Sequence, residues 1–257
     1  MKLPRTLHIE GSRMPPGKVD PEAKQFSKLA GQFLVIEEKV DGTGVSISLD
    51  THLDIQIDHR GSTATGKEFK PLYDWADKHW EDLLMLLGER YVLFGEWMHR
   101  KHTIFYDNLP HLFLESDIYD NDKEVWLSTA ARKSLLKGHE FIKQVPVLAS
   151  FKPSSLKQIT NLVGKTQFKT DHWQDNLKGA CSFVGGDFDT ALKETDQSGL
   201  MEGLYIKHED DLKVLDRYKF VRYEFLQSIL ESGTHLIDRE IIFNSLAGDK
   251  FSFQACE

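Results

Sequence analysis

The chain has 257 residues, 40% hydrophobic and 28% charged, enough for one large domain with an ordinary core or for that domain plus a small appendage. No apolar run approaches the roughly 20 residues of a membrane span, and the Met1–Gly17 stretch lacks the apolar segment of a secretory signal. A cytoplasmic protein with no membrane attachment is expected. The formal net charge of −8 argues against a broadly basic nucleic-acid-binding surface, but leaves room for a local basic site or a carboxylate metal site. Cys181 and Cys256 are too few and too far apart for a disulfide framework or a thiolate metal cluster.

In chain order, residues 14–21 (MPPGKVDP) read as a turn-rich lead-in. Residues 33–50 (FLVIEEKVDGTGVSISLD) read as two strands joined in a hairpin at Asp41-Gly42-Thr43-Gly44. A third strand is expected over 53–58. Residues 69–87 show a helical apolar face through Leu72, Trp75, Ala76, Leu83, Leu86 and Leu87, with Gly88 as a stop. Core strands follow at 91–97 and 112–119. Ser128 can cap a helix running to about His139, and Ser154 or Ser155 another ending near Gly164. Residues 166–198 carry no readable pattern. Strands are expected at 203–208 and 212–221, and one or two helices within 225–246. Strand runs mixed with helices, without regular βαβ alternation, predict an α+β domain built on antiparallel sheets.

The chemistry centres on Lys39-Val40-Asp41-Gly42. A lysine closing a buried strand is held by rigid backbone, and it becomes a nucleophile if its surroundings strip its proton. Alone the pattern is weak, and a surface hairpin is the plain alternative. It is followed in order by His59-Arg60-Gly61, Phe94-Gly95-Glu96-Trp97, Phe113-Leu114-Glu115-Ser116-Asp117-Ile118, Glu202-Gly203-Leu204-Tyr205-Ile206-Lys207 and Arg217-Tyr218-Lys219. This ordered set resembles the covalent nucleotidyltransferase superfamily of polynucleotide ligases and mRNA capping enzymes, closest to the RNA ligase 2-like branch of ATP-dependent RNA ligases. The resemblance spans Lys39 to Lys219.

That resemblance implies a nucleotidyltransferase (ATP-grasp-like ligase) domain of antiparallel sheets with flanking helices. It also implies an ATP-dependent enzyme, using Mg²⁺ or Mn²⁺, that joins RNA 3′-hydroxyl and 5′-phosphate ends through a lysyl-AMP on Lys39. Lys207 and Lys219 would bring positive charge to the triphosphate, with Arg217 beside them. Glu96 would accept a hydrogen bond from the ribose, Phe113 would stack on adenine, and Arg60 would sit near the ribose and the RNA 5′-phosphate. Glu38 joins the nucleotide-binding set, and Glu202 with Asp41 is expected at the metal. The chain departs from the family pattern in having Arg217 where lysine is usual, and Ser116 where an aromatic or hydrophobic residue is common. Arg13, in a segment similar to one found ahead of motif I in some bacterial RNA ligases, is a second candidate for the 5′-phosphate. Arg222 reads as a further phosphate contact or a solvated strand end. His99 and His102 lack the helical spacing of a zinc pair, and Arg100-Lys101-His102 reads as a basic patch outside the sheet.

The expected organisation is an adenylyltransferase domain over 1–222 and a short helical segment over 223–257. The 38 residues after Lys219 are too few for the OB-fold of DNA ligases and capping enzymes. A DNA ligase-like enzyme and a non-catalytic nucleotide sensor are the alternatives to an RNA ligase. RNA is the expected partner, with an end-healing kinase-phosphatase as a companion by family habit.

Overall fold

Strand and helix patterning resolves into two sheets with helices packed outside them, in a computed structural model that describes residues 3–14 and 23–248. The strands are β1 (Leu7–His8), β2 (Leu34–Lys39), β3 (Thr43–Leu49), β4 (Ile55–His59), β5 (Ser62–Thr63), β6 (Tyr91–Trp97), β7 (Phe113–Asp120), β8 (Val125–Trp126), β9 (Lys143–Gln144), β10 (Val147–Phe151), β11 (Gly203–Glu209) and β12 (Val214–Val221). The helices are α1 (Lys70–Lys78), α2 (Trp80–Leu87), α3 (Thr129–Leu135), α4 (Leu156–Thr160), α5 (Trp173–Val184), α6 (Phe188–Lys193) and α7 (Tyr223–Ser232). One sheet runs β1-β12-β11-β2-β10; the other runs β5-β4-β3-β6-β7-β8, with β9 also on β7. Pairing is antiparallel except for β1 with β12 and β7 with β9. The expected α+β architecture is therefore present, and most of the lead-in 14–21 lies outside the described residues.

The expected hairpin at Asp41–Gly44 does not form. β2 pairs with β10 and β11, whereas β3 pairs with β4 and β6. The Asp-Gly turn signal is real, but the chain uses it to cross from one sheet to the other. Gly42 is needed at the crossing, because a Cβ there would lie 2.6 Å from the Met98 sulfur and 3.1 Å from the Trp97 carbonyl oxygen. Lys39, the last residue of β2, thus sits where the sheets meet.

Core packing follows the faces. Val45, Ile47, Leu93, Trp97 and Phe113 of the second sheet bury against Leu72, Ala76, Leu83 and Leu87 of α1 and α2. These two helices replace the single helix expected over 69–87, and His79 carries the break between them. Leu34, Ile36, Leu204, Ile206 and Tyr218 of the first sheet pack with Ile159 of α4 on its outer face. The stretch 166–198, unreadable as sequence, holds α5 and α6, whose Trp173, Leu177, Cys181 and Ala191 form a satellite cluster with Phe105 and Ile242. Ser128 caps α3 as expected, its Oγ accepting the Ala131 N–H at 3.2 Å, although α3 ends earlier than His139.

The boundary expected at 222/223 separates no packing unit among the described residues. Phe225 and Leu246 join the cluster of Val40, Tyr106 and Leu114 at the sheet junction. Asn244 accepts the Tyr106 N–H at 2.9 Å and donates to the Met98 carbonyl at 2.6 Å. The tail is part of the wall that holds the loop 98–106 beneath Lys39. No helix among the described residues is long and apolar enough to cross a membrane.

Candidate active site

Lys39 Nζ lies 2.7 Å from each carboxylate oxygen of Glu202. The register explains the contact: Gly203, the first residue of β11, stands opposite Lys39, so the preceding glutamate reaches the end of β2. Lys39 borders a cavity of about 370 Å³ that is also lined by Glu38, Val40, Glu96, Ser116, Val145, Tyr205, Lys219 and the N-terminal residues Leu3, Arg5, Thr6, His8 and Met14. Glu96 comes from β6 in the facing sheet. Lys219 comes from β12, aligned with Tyr205 on β11. Strand alternation puts Lys39, Gly203, Tyr205 and Lys219 on the inner face of the first sheet.

The electrostatics are those of carboxylates crowded around one amine. Burial pushes Glu96 up to about 7, with Lys39 and His102 pulling it back. Burial raises Glu38 to about 7 as well, against a hydrogen bond from Thr166. Glu202 moves in the same direction for the same reason, opposed by its ion pair. Burial alone would lower Lys39, but Glu202, Glu96 and Asp41 outweigh it and hold the amine protonated in the resting site.

Asp41, expected at a metal, is engaged elsewhere. Its Oδ2 accepts the backbone N–H groups of Thr103 (2.7 Å) and Ile104 (2.9 Å), and its Oδ1 lies 3.6 Å from His102 Nδ1. Burial works to raise its pKa, but His102, the Ile104 amide and Lys39 prevail and keep it below the usual carboxylate range. Asp41 therefore anchors the 102–104 loop under the lysine. His102 completes this anchor by bonding Thr43 Oγ1 through Nε2 at 3.1 Å.

Phe113 is also corrected. It is fully buried on the helix-facing side of the second sheet, its ring 5.7 Å from that of Trp75 in α1. A bulge causes this: Phe94 pairs with Asp117 and Gly95 with Glu115, leaving Ser116 as the extra residue. Bulges re-aim side chains, and here Ser116, not Phe113, borders the Lys39 cavity.

Two of the expected phosphate-binding cations point away as well. Lys207 is fully buried, its Nζ 2.9 Å from Glu37 Oε2 and 3.3 Å from Asp117 Oδ1, and it donates to the Ser116 carbonyl. Arg217 donates to Asp117 at 2.9 Å and lies 4.4 Å over the Trp126 ring. Alternation keeps both on the inner face, but two residues further from Lys39 than Tyr205 and Lys219, where α3 and β8 close the cleft. Arg222 is neither a solvated strand end nor a phosphate ligand: it is buried, pairs with Asp196 and donates to the Met201 carbonyl at 2.7 Å. Arg13 stacks on the Tyr223 ring at 5.6 Å.

A second cavity, about 460 Å³, shares Glu96 and Ser116 with the first and runs along β3, β4 and β6. Arg60 stands on its rim, exposed and with a positive φ of 52° in the β4–β5 turn. His59, Arg100 and His102 line the same cavity. The expected basic patch at Arg100-Lys101-His102 is dispersed: Lys101 is buried with its Nζ on the carbonyls of His102 and Glu194, and Arg100 donates to the Leu236 and Arg239 carbonyls.

Sequence reading thus located Lys39, Glu38, Glu96 and Lys219 at one cavity, Glu202 on the Lys39 amine, and Arg60 at the neighbouring cavity. It missed Tyr205, Ser116, Val145 and the N-terminal contributors. Tyr205 had a usable signal, since it alternates with Gly203 on the strand that ends at Glu202. The N-terminal residues had none, because their place depends on β1 pairing with a strand some 200 residues distant.

Two sheets meeting at a lysine-bearing crossover, ringed by buried glutamates, form an α+β nucleotidyltransferase-type fold. The chain belongs to the RNA ligase family, whose model matches residues 32–221. Among solved structures it is similar to the Naegleria gruberi RNA ligase with PPi (20% identical, TM-score 0.54, covering 88% of this chain and 63% of that one). It is also similar to an alanine variant of that ligase with ATP and Mn (18% identical, TM-score 0.53, covering 86% and 61%). A methionine variant with AMP and Mn matches at 18% identity and TM-score 0.53, again over 86% and 61%. The chain thus spans a little over 60% of the length of these proteins. Comparison with curated proteins by sequence gives no match.

Proposed function

We propose that this protein is an ATP-dependent RNA ligase that seals 3′-hydroxyl and 5′-phosphate ends through an AMP carried on Lys39. The observation that carries the reading is the pairing of Lys39 with Glu202 at 2.7 Å at the sheet crossover, with Lys39 lining a cavity that Glu96 and Lys219 also line. Family membership, and solved relatives that hold ATP with Mn or PPi, support it.

In the first step Lys39 Nζ attacks the α-phosphorus of ATP. A phosphorus–nitrogen bond forms, the bond to the β-phosphate oxygen breaks, and pyrophosphate leaves. The amine proton has an acceptor in Glu202, whose proton affinity is raised by burial. Lys219 on the same face offers positive charge where the leaving pyrophosphate gathers negative charge, and Glu96 accepts a hydrogen bond from the ribose. An RNA 5′-phosphate oxygen then attacks the lysyl-AMP, freeing Lys39 and leaving AMP on the RNA end. The 3′-hydroxyl attacks that end, forms the phosphodiester and releases AMP. Arg60, on the rim of the neighbouring cavity, suits the RNA phosphate through its planar fork.

No three His, Cys, Asp or Glu side chains among the described residues stand at metal-binding spacing. Glu202 and Glu96 nevertheless offer the hard oxygen donors that Mg²⁺ and Mn²⁺ take, with ATP's own phosphates completing the set. A cation held there would offset the triphosphate's negative charge. A companion kinase-phosphatase that prepares RNA ends remains an expectation from the family resemblance.

The test is self-labelling with α-labelled ATP and Mg²⁺ or Mn²⁺, run beside Lys39→Ala. A labelled protein band that is lost in the variant is expected, followed by sealing of nicked RNA in preference to nicked DNA. A folded protein that takes no label with either metal would overturn the enzyme reading in favour of a nucleotide sensor. Sealing confined to DNA would overturn the choice of RNA.

A further inference from the structure

Strand β2 ends at Lys39, and the next three residues, Val40, Asp41 and Gly42, belong to no strand. What fixes that crossing is the loop 98–109. Tyr106 Oη accepts the Asp41 backbone N–H at 2.9 Å, while the Asp41 carboxylate accepts the Thr103 and Ile104 amides. The residue two beyond the reacting lysine is therefore held by one loop through both its backbone and its side chain. That loop contains no helix or strand, so its rigidity has to come from outside it.

It comes from residues 242–247, which lie beyond the last sequence motif. The Ile242 carbonyl accepts the Lys101 N–H at 2.8 Å, the Asn244 N–H donates to the His99 carbonyl at 2.9 Å, and the Ser245 N–H donates to the Tyr106 carbonyl at 2.9 Å. The Asn244 side chain joins the two arms of the loop. It is fully buried, with Oδ1 accepting the Tyr106 N–H at 2.9 Å and Nδ2 donating to the Met98 carbonyl at 2.6 Å. A primary amide supplies the acceptor and the donor that those two backbone groups require.

We infer that Asn244 and Tyr106 are positioning residues for the reaction of Lys39, Asn244 acting through Tyr106 and Tyr106 through the Asp41 peptide. The inference rests on the lysyl-AMP reading above and goes beyond it, because neither side chain is among the described residues that line the two cavities. The path is short. Asn244 Oδ1 fixes the Tyr106 backbone, the buried Tyr106 ring crosses the core cluster it shares with Val40 and Met98, and its hydroxyl sets the peptide two residues after Lys39. Rate is sensitive to such placement: the amine must meet phosphorus at near-contact distance and in line, and an error of about 1 Å costs on the order of 100-fold. Affinity for ATP depends instead on the cavity walls, which these two residues do not form.

The experiment follows single-turnover formation of labelled protein over a range of ATP concentrations with Mg²⁺, below the melting temperature of every variant. It yields a maximal rate and a half-saturating ATP concentration. Tyr106→Phe removes the one oxygen that accepts the Asp41 N–H. It is expected to lower the maximal rate about 10- to 100-fold and to leave half-saturation within about threefold of the parent. Asn244→Ala should do the same; should it not fold, Asn244→Ser, whose hydroxyl can still meet one backbone group, takes its place. The double variant should be no slower than the slower single one, because both act along one path. Phe225→Leu, which loosens the same core cluster without touching either hydrogen bond, should lower the melting temperature and keep the parental rate. A folded Tyr106→Phe or Asn244 variant that labels at the parental rate overturns the assignment. So does a Phe225→Leu protein that slows as much as Tyr106→Phe, since general loosening would then account for the loss. A parent that takes no label overturns the lysyl-AMP reading and this role with it, an outcome distinct from an active parent whose variants match it.

Discussion

At the scale of single residues, the candidate site holds charge where burial resists it. Glu38 is the clearest case: it is 3% exposed, its Oε1 has no hydrogen-bond partner among the described residues, and its pKa rises to about 7. A carboxyl whose folded-state pKa lies above its unfolded value favours folding while protonated. That contribution is fully present below about 4.5 and is lost as pH rises through 7. Glu38→Gln should therefore stabilise the protein by about 1–3 kcal/mol at pH 8, with the gain shrinking toward pH 5. Melting curves at the two pH values check this; a gain that grows on acidification would refute the assigned sign. Asp41 shows the opposite arrangement. Two backbone amides, His102 and Lys39 stabilise its charge, so a carboxylate three residues on serves as an anchor.

At the scale of elements, the β2–β11–β12 ladder sets the distances at Lys39. Gly203 stands opposite both Lys39 and Val221, and a Cβ added there would run into the carbonyl oxygen of Phe220. Because the obstacle is backbone, relief requires β12 to move, and Lys219 moves with it. Gly203→Ala should cost about 3 kcal/mol and reduce self-labelling together with stability. Gly199→Ala, where nothing lies within 4 Å of the added carbon, should change stability by less than about 0.5 kcal/mol. Denaturant unfolding of both variants provides the comparison, and equal costs would remove the argument from the ladder.

At the scale of the whole molecule, one buried charge network ties the two sheets together behind the cavity. Arg132 of α3 bridges Glu37 on β2 (2.6 Å) and Glu115 on β7 (3.0 Å). Lys207 on β11 joins Glu37 to Asp117, and Arg217 on β12 completes the set at Asp117. Three cations thus balance three carboxylates away from water. Removing one cation leaves buried negative charge uncompensated, so Lys207→Met should destabilise the fold by about 3–5 kcal/mol. Urea unfolding measures it. A Lys207→Met protein of parental stability that nonetheless fails to self-label would instead return Lys207 to the nucleotide.

Local pattern by itself determined much of this protein. The strand carrying Lys39, the strand carrying Glu96, the segment Glu202–Lys207 and the α+β class are all legible, because alternation and turn chemistry act between neighbours in sequence. Motif order did the same for Lys39 and Lys219, which share one cavity, and for Glu202, which pairs with Lys39. The tertiary structure alone decided what the Asp41-Gly42 turn does, since nothing local distinguishes a hairpin from a crossing between sheets. It also decided which ring meets the cavity: a bulge at Ser116 reverses the facing that simple alternation assigns to Phe113. Finally, it decided that Lys207 and Arg217 are internal counter-charges, because a basic residue reads the same in sequence whether its partner is a phosphate or a carboxylate from a strand some 90 to 170 residues away.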